Sequence, residues 1–350
     1  MRKTTLFGMS FFVVAMAVVM YFSMTKTIEI SDVSLHEIVK EEQEETPVEA
    51  TELVEPVNEL LFADSADTEY ICIPLPEKTG TDDIVIENHY MDHKLYVGID
   101  DANEQFYKEK TLTGNRDNII TGTYEVVRSG IRLCFDMNGL YEYKSVLDNG
   151  SLYITFHTPR EMYEKIVVID PVCGGADNGV SDGAVMEKNI SLTVASKLRN
   201  LIDADDNNIK VYYTRLDDVN PMKEARVALA NDTKADMYIR IAADFKEDTS
   251  IYGVTSIYNG DYFIPGFGNV ELSDIMETQV VTAIKGKALG LAECSVDDYE
   301  QIHSCVPTTC IKVGCISNHQ EASLLGRDDY LDKVAAGIYE GIKAVYDSEY

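Results

Sequence analysis

From Ile166 onward, short unbroken apolar runs alternate with segments of helical period, and this alternation sets the fold class. IVVID (residues 166–170) is a continuous apolar run of the kind buried on both faces of a sheet. Ile190, Val194, Leu198 and Leu201 then recur at helical spacing, and IKVYYTR returns as a strand. A helix around Met222–Ala230 precedes the strand MYIRIAA. After GVTSIYN a helix near Asp274–Leu289 leads to the strand TCIKVGCI. Leu331, Val334, Ala335, Ile338, Ile342 and Val345 mark one face of a closing helix. The expectation for 165–350 is an α/β domain with a mostly parallel sheet flanked by helices.

The preceding residues read differently. Over 81–160 the runs are short and alternating, with turns at Met91-Asp92-His93, Arg128-Ser129-Gly130 and Asp148-Asn149-Gly150. They predict a small antiparallel β domain. Residues 25–80 are acidic, with nine glutamates between Glu37 and Glu59 and prolines at 47 and 56. Like charges extend such a segment, so it reads as a disordered tether. At the N-terminus, Arg2 and Lys3 precede an uncharged run, Leu6–Met24. At about 1.5 Å per residue that run nearly spans a hydrocarbon core. Residues 1–24 are therefore expected to form a single-pass anchor in the cytoplasmic membrane, with the following domains outside it.

Composition removes one class of partner. Sixty acidic residues against thirty Lys and Arg give a formal charge of −30. Such a chain repels phosphate backbones, which excludes nucleic acid as a ligand. Seven cysteines, at 72, 134, 173, 294, 305, 310 and 315, form no zinc-finger spacing and read as free thiols.

Several co-linear strings carry a resemblance: VVIDPVCGGADNG (Val167–Gly179), MEKNISL (Met186–Leu192), YTRLDD (Tyr213–Asp218), ARVALAN (Ala225–Asn231), ADMYIRIAAD (Ala235–Asp244), PTTCIKVGCISN (Pro307–Asn318) and the stretch Leu324–Leu331. Together they resemble the zinc-dependent N-acetylmuramoyl-L-alanine amidases, which cut the amide joining muramic acid to the peptidoglycan stem peptide. The β domain before them is similar to the AMIN-type modules that accompany such enzymes, through IRLCFDM, SLYITF and its place in the chain.

The resemblance implies one zinc ion, and the positions that should hold it have changed. Cys173 stands where the family has a ligand histidine, in Asp170-Pro171-Val172-Cys173-Gly174-Gly175. Glu187 matches the second ligand. Arg240-Ile241-Ala242-Ala243-Asp244 aligns with S-I-H-x-N, so Ala242 replaces the third ligand. Lys312 occupies the place of the glutamate base. Alanine supplies no donor atom, and lysine is no carboxylate base.

Two functional readings follow. In the first the protein is catalytically degenerate, needs no cofactor and binds peptidoglycan or scaffolds cell-wall machinery. In the second it remains an active amidase whose ligands are rearranged through His303 or Asp244. A variant of the second makes Cys173 a nucleophile with His303 as its base. Strand alternation puts Arg240, Ala242 and Asp244 on one face, and Cys310, Lys312 and Gly314 on one face. A Lys312 ammonium opposite Glu187 would neutralise that carboxylate without metal. In the blander alternatives, Lys312 bends out to solvent and Glu187 caps its helix.

Overall fold

A computed structural model describes residues 58–348 apart from 66, 206 and 207. The expected anchor at Leu6–Met24 and most of the acidic tether lie outside the described residues. Among the described residues no helix is long and apolar enough to cross a membrane.

Ten strands come first: β1 (Asn58–Glu59), β2 (Leu61–Asp64), β3 (Tyr70–Pro74), β4 (Ile84–His89), β5 (Lys94–Asp100), β6 (Thr111–Gly114), β7 (Ile119–Val127), β8 (Gly130–Met137), β9 (Glu142–Asp148) and β10 (Ser151–His157). Helix α1 (Glu104–Glu109) interrupts them. They form two five-stranded sheets, ordered β1-β7-β8-β5-β4 and β2-β6-β3-β10-β9. Leu95, Val97, Ile131, Leu133 and Phe135 of the first sheet share one core with Ile71, Ile73, Leu112, Leu152 and Ile154 of the second. This face-to-face packing is a β-sandwich.

Two expectations are corrected here. The tether does not run to residue 80, because β1, β2 and β3 lie within it. Their apolar runs, LLFA and YICIP, are short and sit in an acidic, turn-rich context that conceals them. The sandwich correspondingly starts well before residue 81, and β2 adds a parallel pair with β6 to strands whose pairs within 81–160 are antiparallel, as expected.

After α2 (Pro159–Met162) come β11 (Lys165–Pro171), the ribbon β12 (Ser181–Asp182) and β13 (Val185–Met186), α3 (Glu187–Asp203), β14 (Ile209–Tyr213), α4 (Lys223–Thr233), β15 (Met237–Asp244) and β16 (Val254–Tyr258). Then follow α5 (Asn269–Ile284), β17 (Ala288–Glu293), α6 (Tyr299–His303), β18 (Thr308–Cys315), α7 (His319–Leu325) and α8 (Asp328–Asp347). The sheet order is β14-β11-β15-β18-β16-β17. Only β16 against β18 is antiparallel within it.

Helices α3, α5 and α8 bury one face, where Val167, Ile239 and Ile311 meet Val194, Met276 and Ile338. The period of α3 passes from Leu198 to Ile202, leaving Leu201 partly exposed. The helix expected to reach Leu289 ends at Ile284, and Ala288–Glu293 is a strand. Lys285 in the left-handed region and Gly286 stop the helix there.

The opposite face is covered by α4 and by the sandwich itself. Leu140, Tyr90 and Met91 pack with Ile166, Val168 and Tyr212. Tyr212 donates to Glu142 Oε1 at 2.6 Å, Lys210 Nζ lies 2.8 Å from the same oxygen, and Tyr90 donates to the Tyr213 carbonyl at 3.2 Å. The sandwich and the α/β layer thus form one compact unit.

Candidate functional site

Cys173, Ala242 and Lys312 gather toward the C-terminal ends of β11, β15 and β18, where parallel α/β sheets place their sites. The loop after β11 is tightly turned. Cys173 has φ +62°, and Gly174 has φ +131° with a β-carbon position only 2.0 Å from the Val219 carbonyl oxygen. Gly179 (φ +63°) leaves space that a methyl would close, 2.3 Å from Glu187 Oε2 and 2.7 Å from Cys173 Sγ. Arg215 ties this loop to α3. It donates to the carbonyls of Pro171 (2.8 Å), Val172 (2.9 Å) and Lys188 (2.9 Å). Lys188 adds an outer tie, reaching the Gly175 carbonyl at 2.7 Å and Asp218 Oδ2 at 3.0 Å.

Glu187 opens α3 and is buried. Its Oε1 accepts the Ala243 N–H at 2.9 Å and its Oε2 the Val180 N–H at 2.9 Å. The Cys173 thiol lies 3.8 Å from Oε2. Burial pushes that thiol up to about 12, and the charges of Glu187 and Asp177 add to the rise. A thiol held protonated in this way is a poor nucleophile at neutral pH.

Ala242 is buried with Val172 and Cys310, in register with Lys312 across the β15–β18 pair. The register shifts between Ala242 and Asp244, so Asp244 lies opposite Cys315. Lys312 Nζ donates to Asp244 Oδ1 at 2.9 Å, and Lys246 Nζ lies 2.7 Å from Oδ2. The lysine therefore neither pairs with Glu187 nor turns out to solvent. It pairs with the carboxylate two residues beyond Ala242. Burial opposes the Lys312 charge, but the Asp244 bond outweighs it and holds the ammonium above its usual range. Asp244 is correspondingly held below the usual carboxylate range: burial works against ionisation, and its bonds to Lys246 and Lys312 outweigh that.

Arg240 is buried and engaged in ion pairs. Its Nε reaches Asp170 Oδ2 at 3.1 Å, while Nη1 meets Asp298 at 2.7 Å and Nη2 meets Glu300 at 3.0 Å. Asp170, fully buried, also pairs with Arg226 and accepts from Thr214 at 2.6 Å and Tyr238 at 3.1 Å. Sequence reasoning missed the Asp170–Arg226 pair and the Arg215 tie to the loop. The available signal was a charge inside each of three apolar segments, IVVID, RVALA and VYYTR.

His303 stands apart from the Cys173–Glu187 pair. It lies on α6 ahead of β18, stacked on Tyr299 with ring centroids 3.9 Å apart, and its Nδ1 is 2.9 Å from the Tyr299 carbonyl. Its own carbonyl accepts from Asn231 at 3.0 Å. Among the described residues no three His, Cys, Asp or Glu side chains converge to hold a metal. The donors present do not fit the zinc that the resemblance implies. One position is alanine, Glu187 has both oxygens bound to backbone N–H groups, and an ammonium stands at the base position.

Comparison with known proteins agrees with the class suggested by the fold and the loop motifs. The sequence profile described as N-acetylmuramoyl-L-alanine amidase matches residues 167–344. This chain belongs to the N-acetylmuramoyl-L-alanine amidase family. It is 29% identical over 183 residues to the uncharacterized protein YqiI of Bacillus subtilis, a match covering 52% of this chain and 85% of that one. It is 29% identical over 199 residues to the germination-specific N-acetylmuramoyl-L-alanine amidase of the same organism, covering 51% and 78% respectively. Among solved structures, the N-acetylmuramoyl-L-alanine amidase of Clostridium difficile 630 aligns at 26% identity with a TM-score of 0.49, covering 53% of this chain and 98% of that one.

Proposed function

We propose that this protein works at the cell wall as a non-hydrolysing member of its family, binding peptidoglycan and scaffolding wall machinery from the outer face of the cytoplasmic membrane. The observation that carries this reading is the Lys312–Asp244 pair beside Ala242. A carboxylate base and a third ligand are both replaced, and the replacing cation is engaged by a buried partner. The loops around them are firmly held, with Glu187 bound at both oxygens by backbone N–H groups and Arg215 fastening the turn. A well-held centre that lacks a carboxylate base and a third ligand suits binding rather than bond cleavage. The Leu6–Met24 run supports a membrane anchor, and the acidic stretch after it supports a spacer that carries the folded unit toward the wall. The sandwich, similar in sequence and position to AMIN-type modules, supplies a second wall contact.

The test is co-sedimentation of the full-length chain with purified sacculi, with the supernatant assayed for released stem peptide. Retention on the sacculi without release is expected. Failure to sediment removes the binding role. Release of stem peptide would restore the alternative, an active amidase with rearranged ligands.

A further inference from the structure

The altered centre does more than lose donors. Asp244 is buried, yet two lysines reach it from different directions: Lys312 from the neighbouring strand β18 and Lys246 from the loop beyond β15. Glu187, one residue of backbone away through its bond to the Ala243 N–H, needs no further partner. The register that places Lys312 opposite Ala242 brings the ammonium to the point where β15 gives up a ligand side chain.

We infer that the Lys312 ammonium is the resident cation of this centre, anchored by Asp244 and doing electrostatically what a bound metal would otherwise do. This rests on the reading of the centre as non-hydrolytic and names what occupies it. An isolated carboxylate at this depth is costly, and an ammonium covalently fixed to β18 supplies the compensating charge without leaving on chelation. Lys246 closes the outer side of Asp244, and Glu187 lies near enough to favour the Lys312 charge. A divalent ion entering here would meet a fixed positive charge at close range. It would also have to draw Glu187 away from two backbone N–H groups that then lose their partner.

The inference predicts a protein indifferent to metal and sensitive to one lysine. The full-length chain, purified without added metal, should carry far less than one zinc per chain. Neither zinc nor a chelator should move its Tm. Lys312→Met should lower Tm by roughly 5 °C, a loss kept modest because Lys246 remains on Asp244. Lys312→Arg should recover most of that loss. Lys312→Met combined with Asp244→Asn should cost less than the sum of the two single changes, since both charges leave together. Stoichiometric zinc in the wild type, or a zinc-induced rise in its Tm, would overturn the inference. So would a thermally silent Lys312→Met with no coupling to Asp244→Asn. Absence of binding to sacculi is a separate result: it removes the proposed function and leaves this thermal cycle unaffected.

Discussion

Two charged clusters sit on the same strands a few residues apart, and they differ in almost every physical respect. The first, Asp170 with Arg226, Arg240, Thr214 and Tyr238, lies under α4 and α6 with its carboxylate fully buried and its cations nearly so. The second, Cys173, Glu187, Asp244 and Lys312, lies at the strand ends, and the Lys312 side chain remains 29% exposed. In the first cluster each charge answers another from a different element, tying β11, β14, β15, α4 and α6 together. The second gathers a loop residue, Cys173, a helix N-terminus, Glu187, and two strand residues, Asp244 and Lys312, at the open end of the sheet. The inner cluster thus holds the fold in place, while the outer one is the more exposed and the less cross-linked of the two.

The sharpest way to break this comparison is at its inner member. Asp170→Ala leaves Arg226 and Arg240 buried without their shared anion and should cost about 3–5 kcal/mol. Denaturant unfolding measures it, and a cost no larger than that of an outer-cluster substitution would erase the distinction. The same group sets an acid limb. Burial works against Asp170 ionisation, but Arg226 and Arg240 outweigh it and hold the carboxyl below its usual range. A depressed folded value means the contribution is complete above the unfolded value near about 3.9 and is lost as pH falls from there toward the folded one. Wild-type stability should therefore decline in that window more steeply than that of Asp170→Asn.

Gly179→Ala comes next in size. A methyl there meets Glu187 and Cys173 at a left-handed φ, which should cost about 2 kcal/mol or more and disturb the outer cluster alone. Glu142→Gln tests the seam between sandwich and sheet. It removes the anion shared by Tyr212 and Lys210 and should cost about 1–2 kcal/mol by thermal unfolding. The smallest effect belongs to Cys173→Ser, expected below about 1 kcal/mol. In the wild type, a thiol pushed up to about 12 should alkylate slowly at neutral pH. Rapid alkylation of Cys173 would revive its reading as a nucleophile.

Much of this arrangement was legible in the sequence, for identifiable reasons. Strands β11, β15 and β18 are buried on both faces and read as continuous apolar runs, and α8 shows its period from Leu331 to Val345. Strand β17 was hidden because ALGLAE is short, glycine-broken and at the sheet edge. Positions 173, 187, 242 and 312 were found through the motifs around them. The partner of Lys312 was not, because alternation reports a face and not a contact, and the register shift after Ala242 has no sequence signature. Arg240 was singled out by alternation with Ala242. Its outer partners, Asp298 and Glu300, come from a short helix far along the chain, so nothing local marked it as structural.

On the proposed reading, rebuilding a three-ligand site with its base takes four changes. Glutamate at 312 would face Asp244, so Cys173→His, Ala242→His and Lys312→Glu should be joined by Asp244→Asn, which also returns the S-I-H-x-N ending. Histidine tolerates the left-handed backbone at 173 better than most residues do. Ala242→His presses on Val172 and Cys310 and should lower stability by about 1–3 kcal/mol.

The most direct test of the central claim is the time course of stem-peptide release from purified sacculi with zinc supplied, run with the full-length wild type beside the fourfold variant. The account predicts no release by the wild type at any zinc concentration, with zinc-dependent release confined to the variant. Zinc-dependent release by the wild type, abolished by a chelator, would contradict it.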